Sequence, residues 1–270
     1  MCNDLSNNYY SQLIQSLKID CAKCCGLCCI ALYCSKTDGF PADKVAGVPC
    51  KNLLSDYKCL IHNDLYKKNM KGCLSYECFG AGQKVTQHIY KNSSWKNSNI
   101  NKQKMFDVFT TIFQLHQMLW YLLEAINLCE DNQKSEIDNL IIENENITTK
   151  STEEILNFDI EKYRQKVNLI LKSIVDQYDK FKSGTLNYIG KNFKNKDFDG
   201  KNFSMSLLIG SNFNGCSFNK ASFLGADMRD ANLKNADLSG SIFLTQMQIN
   251  SAKGNSNTKL PSHISKPKTW

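Results

Sequence analysis

This chain lacks an apolar run long enough to cross a bilayer, which takes about 20 residues, so no membrane span is expected. Its first residues, MCNDLSNNYYSQLIQ, lack a basic stretch followed by an apolar one, so no signal peptide is expected either. The compartment expected by default is the cytoplasm. Arginine is almost missing: Arg164 and Arg229 stand among lysines, a composition that looks like an AT-rich genome rather than a functional signal. No dense basic stripe forms, and nucleic acid is not expected as a partner. No nucleophile–base constellation and no catalytic carboxylate pair is visible, which weighs against an enzyme. The net charge of +7 is uneven. Residues 1–100 carry twelve lysines against seven acids, residues 101–185 ten basic against fourteen acidic, and residues 186–270 eleven against five.

What is present is a strict period. Cut in fives, Lys191 to Thr245 reads KNFKN KDFDG KNFSM SLLIG SNFNG CSFNK ASFLG ADMRD ANLKN ADLSG SIFLT. The third residue of every quintet is large and apolar, from Phe193 and Phe198 through Met228 to Leu238 and Phe243. Five fits neither the 3.6 of a helix nor the 2 of a strand. It fits a square coil in which each quintet makes one side and four quintets complete a turn. The first residue of each quintet then also points inward, where room is short. From Ser206 to Ser241 those positions hold only Ser, Cys or Ala. Lys191, Lys196 and Lys201 break the rule, so the first turn is expected to be open, capped or bent, with the lysines snorkelling to its mouth.

This stretch, ADMRD ANLKN ADLSG above all, resembles the pentapeptide-repeat family. The resemblance implies a short right-handed quadrilateral β-helix of about three coils. Some members imitate DNA and shield topoisomerases, but that takes a long acidic rod. Residues 191–245 carry seven basic against five acidic side chains, so DNA mimicry is only a minor alternative.

Thirteen cysteines in a chain expected to be cytoplasmic point to metal or redox chemistry more readily than to disulfides. Ten fall between Cys21 and Cys78. Two back-to-back CxxC pairs, Cys21/Cys24 and Cys25/Cys28, precede Cys29 and Cys34. Cys50 and Cys59 follow, then Cys73 and Cys78. Thiolates at such spacing reach one metal or cluster, with later cysteines returning in space to complete the set. The segments CAKCCGLCC, PCKNLLSDYKCLIH and GCLSYEC resemble the cysteine-rich zinc- or iron-chelating (CxxCxxCC) family. Here the knot has Cys25 inserted after Cys24, and His62 stands where that family shows Tyr. The resemblance implies bound metal, as zinc or an iron–sulfur cluster, held from among Cys21, Cys24, Cys25, Cys28, Cys29, Cys50, Cys59, Cys73 and Cys78. Thiols without metal, and disulfides, stay open as readings of the same residues. The turn Phe79-Gly80-Ala81-Gly82-Gln83 lies outside any strand–GxGxxG–helix context, so it reads as a tight turn beside the metal site rather than a phosphate loop.

Between these parts, Phe106, Phe109, Phe113, His116, Leu119, Trp120, Leu123 and Ile126 step by threes and fours and predict an amphipathic helix of about 25 residues. His116 on that face reads as a buried, satisfied histidine. A short helix is expected over 135–145. Ser151 and Glu154 form a capping box, from which one helix should run past Tyr163 and Ile174 to Gly184. The long helices are expected to pair antiparallel. The domain reading is a cysteine-rich module (1–100), a helical connector (101–184), the repeat (185–250) and a tail or cap (251–270). The function expected is a non-enzymatic protein with a cysteine-ligated metal, acting as a scaffold for an unknown protein partner. The alternative is an iron–sulfur or zinc enzyme, or redox protein, working through the cysteine knot.

Overall fold

The computed structural model describes residues 2–182 and 185–270, with residues 2–8 described by their backbone alone. The chain divides into two compact units, Met1–Cys73 with Cys78–Ile170, and Leu74–Glu77 with Leu171–Trp270. Helices occupy Cys2–Ser16 (α1), Leu27–Ala31 (α2), Lys71–Ser75 (α3), Ala81–Gln83 (α4), Lys102–Ala125 (α5), Asp131–Thr148 (α6), Thr152–Asn157 (α7), Ile160–Tyr178 (α8) and Gln246–Ser251 (α9). α4 runs on into a π-helical turn, Lys84–Ile89. Among the described residues no helix is long and apolar enough to cross a membrane.

In the first unit α5 is the hub. It packs against α6 and α7, and against α1, α2, α4 and the π-turn. The sequence predicts one apolar stripe, but Val108, Ile112, Leu115 and Leu122 are buried as well as Phe109, His116 and Leu119. A helix covered on several sides needs apolar residues around most of its circumference. The Nδ1–H of His116 donates to the Phe79 carbonyl at 2.7 Å, since a carbonyl can only accept. Asn144 Nδ2 donates to Leu115 O and to Tyr163 Oη, and Tyr163 Oη donates to Leu140 O, which ties α5, α6 and α8.

The Ser151–Glu154 capping box forms, but it opens the short α7 instead of the long helix expected. Phe158 is extended, and the Asp159 carboxylate accepts from the Lys162 amide, which caps a new helix, α8. α8 ends at Tyr178, and the expected end at Gly184 lies outside the described residues.

In the second unit, the expected right-handed quadrilateral β-helix must be corrected. Among the described residues the chain forms no β-strand and no sheet. The repeat forms instead a coil whose turns are held by isolated parallel bridges twenty residues apart, from Asn187↔Leu207 to Ser222↔Ile242. The reason lies in the side length. Each quintet contributes one bridging residue, and its fifth residue, among them Gly190, Asn195, Gly210 and Asn235, turns the corner at positive φ. Gly and Asn take that left-handed conformation at least cost. Two successive ladder residues never line up, so no strand begins.

The two inward columns lie where the spacing puts them. Phe203, Leu208, Phe213, Phe218, Phe223, Leu233 and Leu238 are wholly buried, as are Ser211, Ala221, Ala231 and Ala236. Rings stack from turn to turn: Phe193 on Phe213 at 5.3 Å, and Phe203 on Phe223 at 5.6 Å. The column begins one quintet earlier than the sequence suggests, because Tyr188 packs edge-on to Phe193 and Phe203. At the far end α9 closes the coil. Gln248 Nε2 donates to the carbonyls of Phe223 and Ala226. Lys253 and Lys259 then bridge to Asn232 and Asp237.

Two outcomes follow. Ala231→Glu forces a charge into a fully buried column. It should cost the second unit at least about 3 kcal/mol in urea unfolding; an unchanged transition would refute the inward register. Burial, with Lys84 adding to it against the bond to Phe79 O, depresses His116 to about 4. The unfolded chain therefore binds a proton below about 6.5 that the folded chain refuses. Stability is full above pH 6.5 and falls by about 3 kcal/mol as pH drops towards 4. A His116→Gln variant should lack this part of the pH dependence when the two are compared by urea unfolding at pH 7 and pH 4.5.

Candidate metal centre

The cysteines of the first unit sort into groups. Cys21, Cys24, Cys28 and Cys78 line one cavity of about 20 Å³, together with Ile19, Asp20, Gly82, Gln83 and Phe109. Three local devices bring them there. Asp20 caps the helical turn Cys21–Lys23 by accepting from Ala22 N. Gly26, at positive φ, starts α2, which carries Cys28. The third is the turn after Cys78. Phe79 adopts φ 47° and Gly80 φ 71°, and a side chain on Gly80 would strike Ser16 O at 2.3 Å. Positive φ in a buried aromatic residue is a strained arrangement held by its surroundings, here Phe113, Trp120 and His116.

Gln83 and Gly82 complete the wall. Gln83 Oε1 accepts from Asp20 N at 2.7 Å, and its Nε2 donates to Lys18 O, which fixes the entry to Cys21. A Cβ on Gly82 would lie 2.6 Å from Cys24 Sγ, so the sulfur occupies the space of the missing side chain.

A second group comprises Cys29, Cys34, Cys50, Cys59 and Cys73. Cys50 N donates to Cys29 O at 2.9 Å, and Leu53, which bonds to Cys50 O, bridges to Cys59. Burial first, and then the charges of Cys29, Cys50, Cys34 and Cys59, push the Cys73 thiol up to about 12. Cys34 pairs with Lys44. The Lys44 ammonium donates to the carbonyls of Leu32, Val45, Val48 and Ile30, so that loop closes around a cation of its own. The groups touch at Cys28 and Cys29, whose sulfurs are 3.9 Å apart. That contact lowers Cys29 to about 7 and holds Cys28 well above the ordinary thiol range.

Cys25 belongs to neither group. It is buried, Thr86 Oγ1 accepts from its amide, and Trp95 Nε1 donates to its carbonyl. His62 and His88 are exposed. None of the described cysteines is in a disulfide. Among the described residues, no three Cys, His, Asp or Glu side chains already converge as a group able to hold a metal ion. Cys34, named in the cysteine run but left out of the expected ligands, lies with the second group. The sequence reading also gave no role to Lys44 or Thr86, which no motif marks.

The donor chemistry fits a soft metal ion. Four cysteines line one space of roughly one water molecule. Burial raises Cys24, and the hydrogen bond to Cys29 followed by burial raises Cys28, so both are neutral thiols when no cation is near. Ligation would exchange those protons for the ion and draw the sulfurs inward.

Comparison with known proteins places the chain. Residues 206–243 match the model of the pentapeptide repeats, in eight copies. The uncharacterized protein YybG of Bacillus subtilis (strain 168) is 51% identical over 267 residues, covering 94% of this chain and 95% of its own. A solved pentapeptide repeat protein, Rfr23 from the cyanobacterium Cyanothece 51142, is 23% identical with a TM-score of 0.23. That likeness covers 26% of this chain and 46% of the other, less than half its length. The chain belongs to the same family as YybG, and it carries pentapeptide repeats in its C-terminal part.

Proposed function

We propose that this protein is a non-enzymatic scaffold in which one thiolate-held metal ion braces the first unit and the repeat coil presents a surface to a protein partner. The observation that carries the metal half is that Cys21, Cys24, Cys28 and Cys78 line a single cavity. Four cysteines match the ligand number of one tetrahedral ion, the reading adopted here; a four-iron cluster takes the same number and is separated from it by the absorption spectrum. Bound there, the ion supplies a cross-link, tying the Cys21–Cys28 segment to the turn after Cys78. Such a link contributes directly to folding free energy. The partner half rests on the coil. A repeat with polar corners at fixed spacing offers a regular outer face, as repeat architectures do.

The redox alternative draws on a different observation, the 3.9 Å contact between Cys28 and Cys29 that joins the two thiol groups. It requires reversible electron uptake by the metal-loaded protein.

The test is elemental analysis and absorption spectroscopy of anaerobically purified protein, with two variants. The native protein should hold about one zinc or iron per chain. Cys24→Ser/Cys78→Ser should lose it and destabilise the first unit by at least about 3 kcal/mol while leaving the transition of the second unchanged. Gly82→Ala, which presses a methyl group against Cys24 Sγ, should lower metal content without removing a donor. Full metal content in both variants would overturn the assignment.

A further inference from the structure

The first turn of the coil departs from the later ones. In the second turn the small inward residues reach the turn above: Ser211 Oγ donates to Tyr188 O at 2.6 Å and Cys216 Sγ to Phe193 O at 3.0 Å. The first turn has none above it, and Lys191, Lys196 and Lys201 stand at the same quintet position. One side is covered. Lys180 N donates to Gly200 O, and Lys201 is 8% exposed with its ammonium 4.8 Å from the Phe181 ring.

The sides carrying Lys191 and Lys196 are open. Both lysines and Lys194 are exposed, and none of the three is ion-paired among the described residues. Phe193 and Phe198 are half-buried, whereas Phe213 and Phe218 beneath them are wholly buried. The amides of Asn192 and Asp197 also face this rim. Their counterparts one turn on, Asn212 and Ser217, donate to the carbonyls of Lys191 and Lys196. The nearby acids are engaged: Asp197 accepts from Asp199 N and Ser217 Oγ, and Asp199 accepts from Asn219 N. The open rim therefore offers ammonium and amide donors around two apolar rings.

We propose that this rim docks an extended acidic segment of a partner protein, its carboxylates on Lys191, Lys194 and Lys196 and an apolar side chain on Phe193 and Phe198. The inference rests on the scaffold reading and names the face and the partner's chemistry. Rim against rim, a second copy of the chain would bring like charges together. A nucleic acid would call for a dense basic stripe, which the sequence lacks.

The full chain is titrated with a short fluorescein-labelled peptide alternating Glu and Leu, with its Lys/Leu counterpart, and with a single-stranded oligonucleotide. The Glu peptide should bind, weaken with added salt, and lose about tenfold in affinity to Lys191→Glu/Lys196→Glu. Melting of that variant should be unchanged, because both positions are exposed. The Lys peptide should bind the reversed variant better than the native protein. No binding of the Glu peptide, equal affinity in the variant, or preference for the oligonucleotide would each overturn the proposal. Cross-linking in cell extract separates this from the reading beneath it. If native and reversed chains capture the same protein equally, the rim is wrong and the scaffold stands; if the native chain turns over a substrate, the scaffold reading itself falls.

Discussion

Gly82 has no side chain, and the Cys24 sulfur lies where one would be. The candidate centre depends on that close approach. For Gly82 to reach Cys24, the chain must turn sharply after Cys78, and it does so through two residues at positive φ. The turn is held from three directions: His116 donates to its Phe79 carbonyl, Phe113 and Trp120 flank the Phe79 ring, and Gln83 binds the segment that leads into Cys21. Side chains far apart in sequence thus bring Cys78 beside Cys21, Cys24 and Cys28. The strain in the turn is local, and the α5 core against which it lies is broad enough to over-determine it.

The second unit obeys a different constraint, the return of the chain onto itself every twenty residues. Its small column leaves room for the hydrogen bonds between turns, and its large column fills the space left between opposite sides. Lysine at the small position is possible only where no turn lies above, which is why Lys191 and Lys196 reach solvent from the first turn alone.

Much of this was legible in the residues. Phe213, Phe218 and Ala231 announce their burial because a repeat makes burial periodic, and Ser151 with Glu154 announces a helix start. The β-helix was misjudged because the family resemblance carried strands with it, while the left-handed fifth residues keep each side to one bridging residue. The break before α8 was hidden because the apolar stripe through Ile155, Ile160 and Tyr163 runs across it, although Asp159 is an ordinary capping residue. The partition of the thiols could not be read from spacing. Cys24 and Cys25 are neighbours in sequence, yet one lines the cavity and the other is pinned by Thr86 and Trp95. That choice is made by contacts from residues about sixty to seventy positions away.

X-ray absorption at the metal edge of the anaerobically purified chain tests the central claim most directly. A single ion among Cys21, Cys24, Cys28 and Cys78 predicts about four sulfur neighbours near 2.3 Å and no metal–metal vector. A first shell of nitrogen and oxygen, or a clear metal–metal vector, would contradict it.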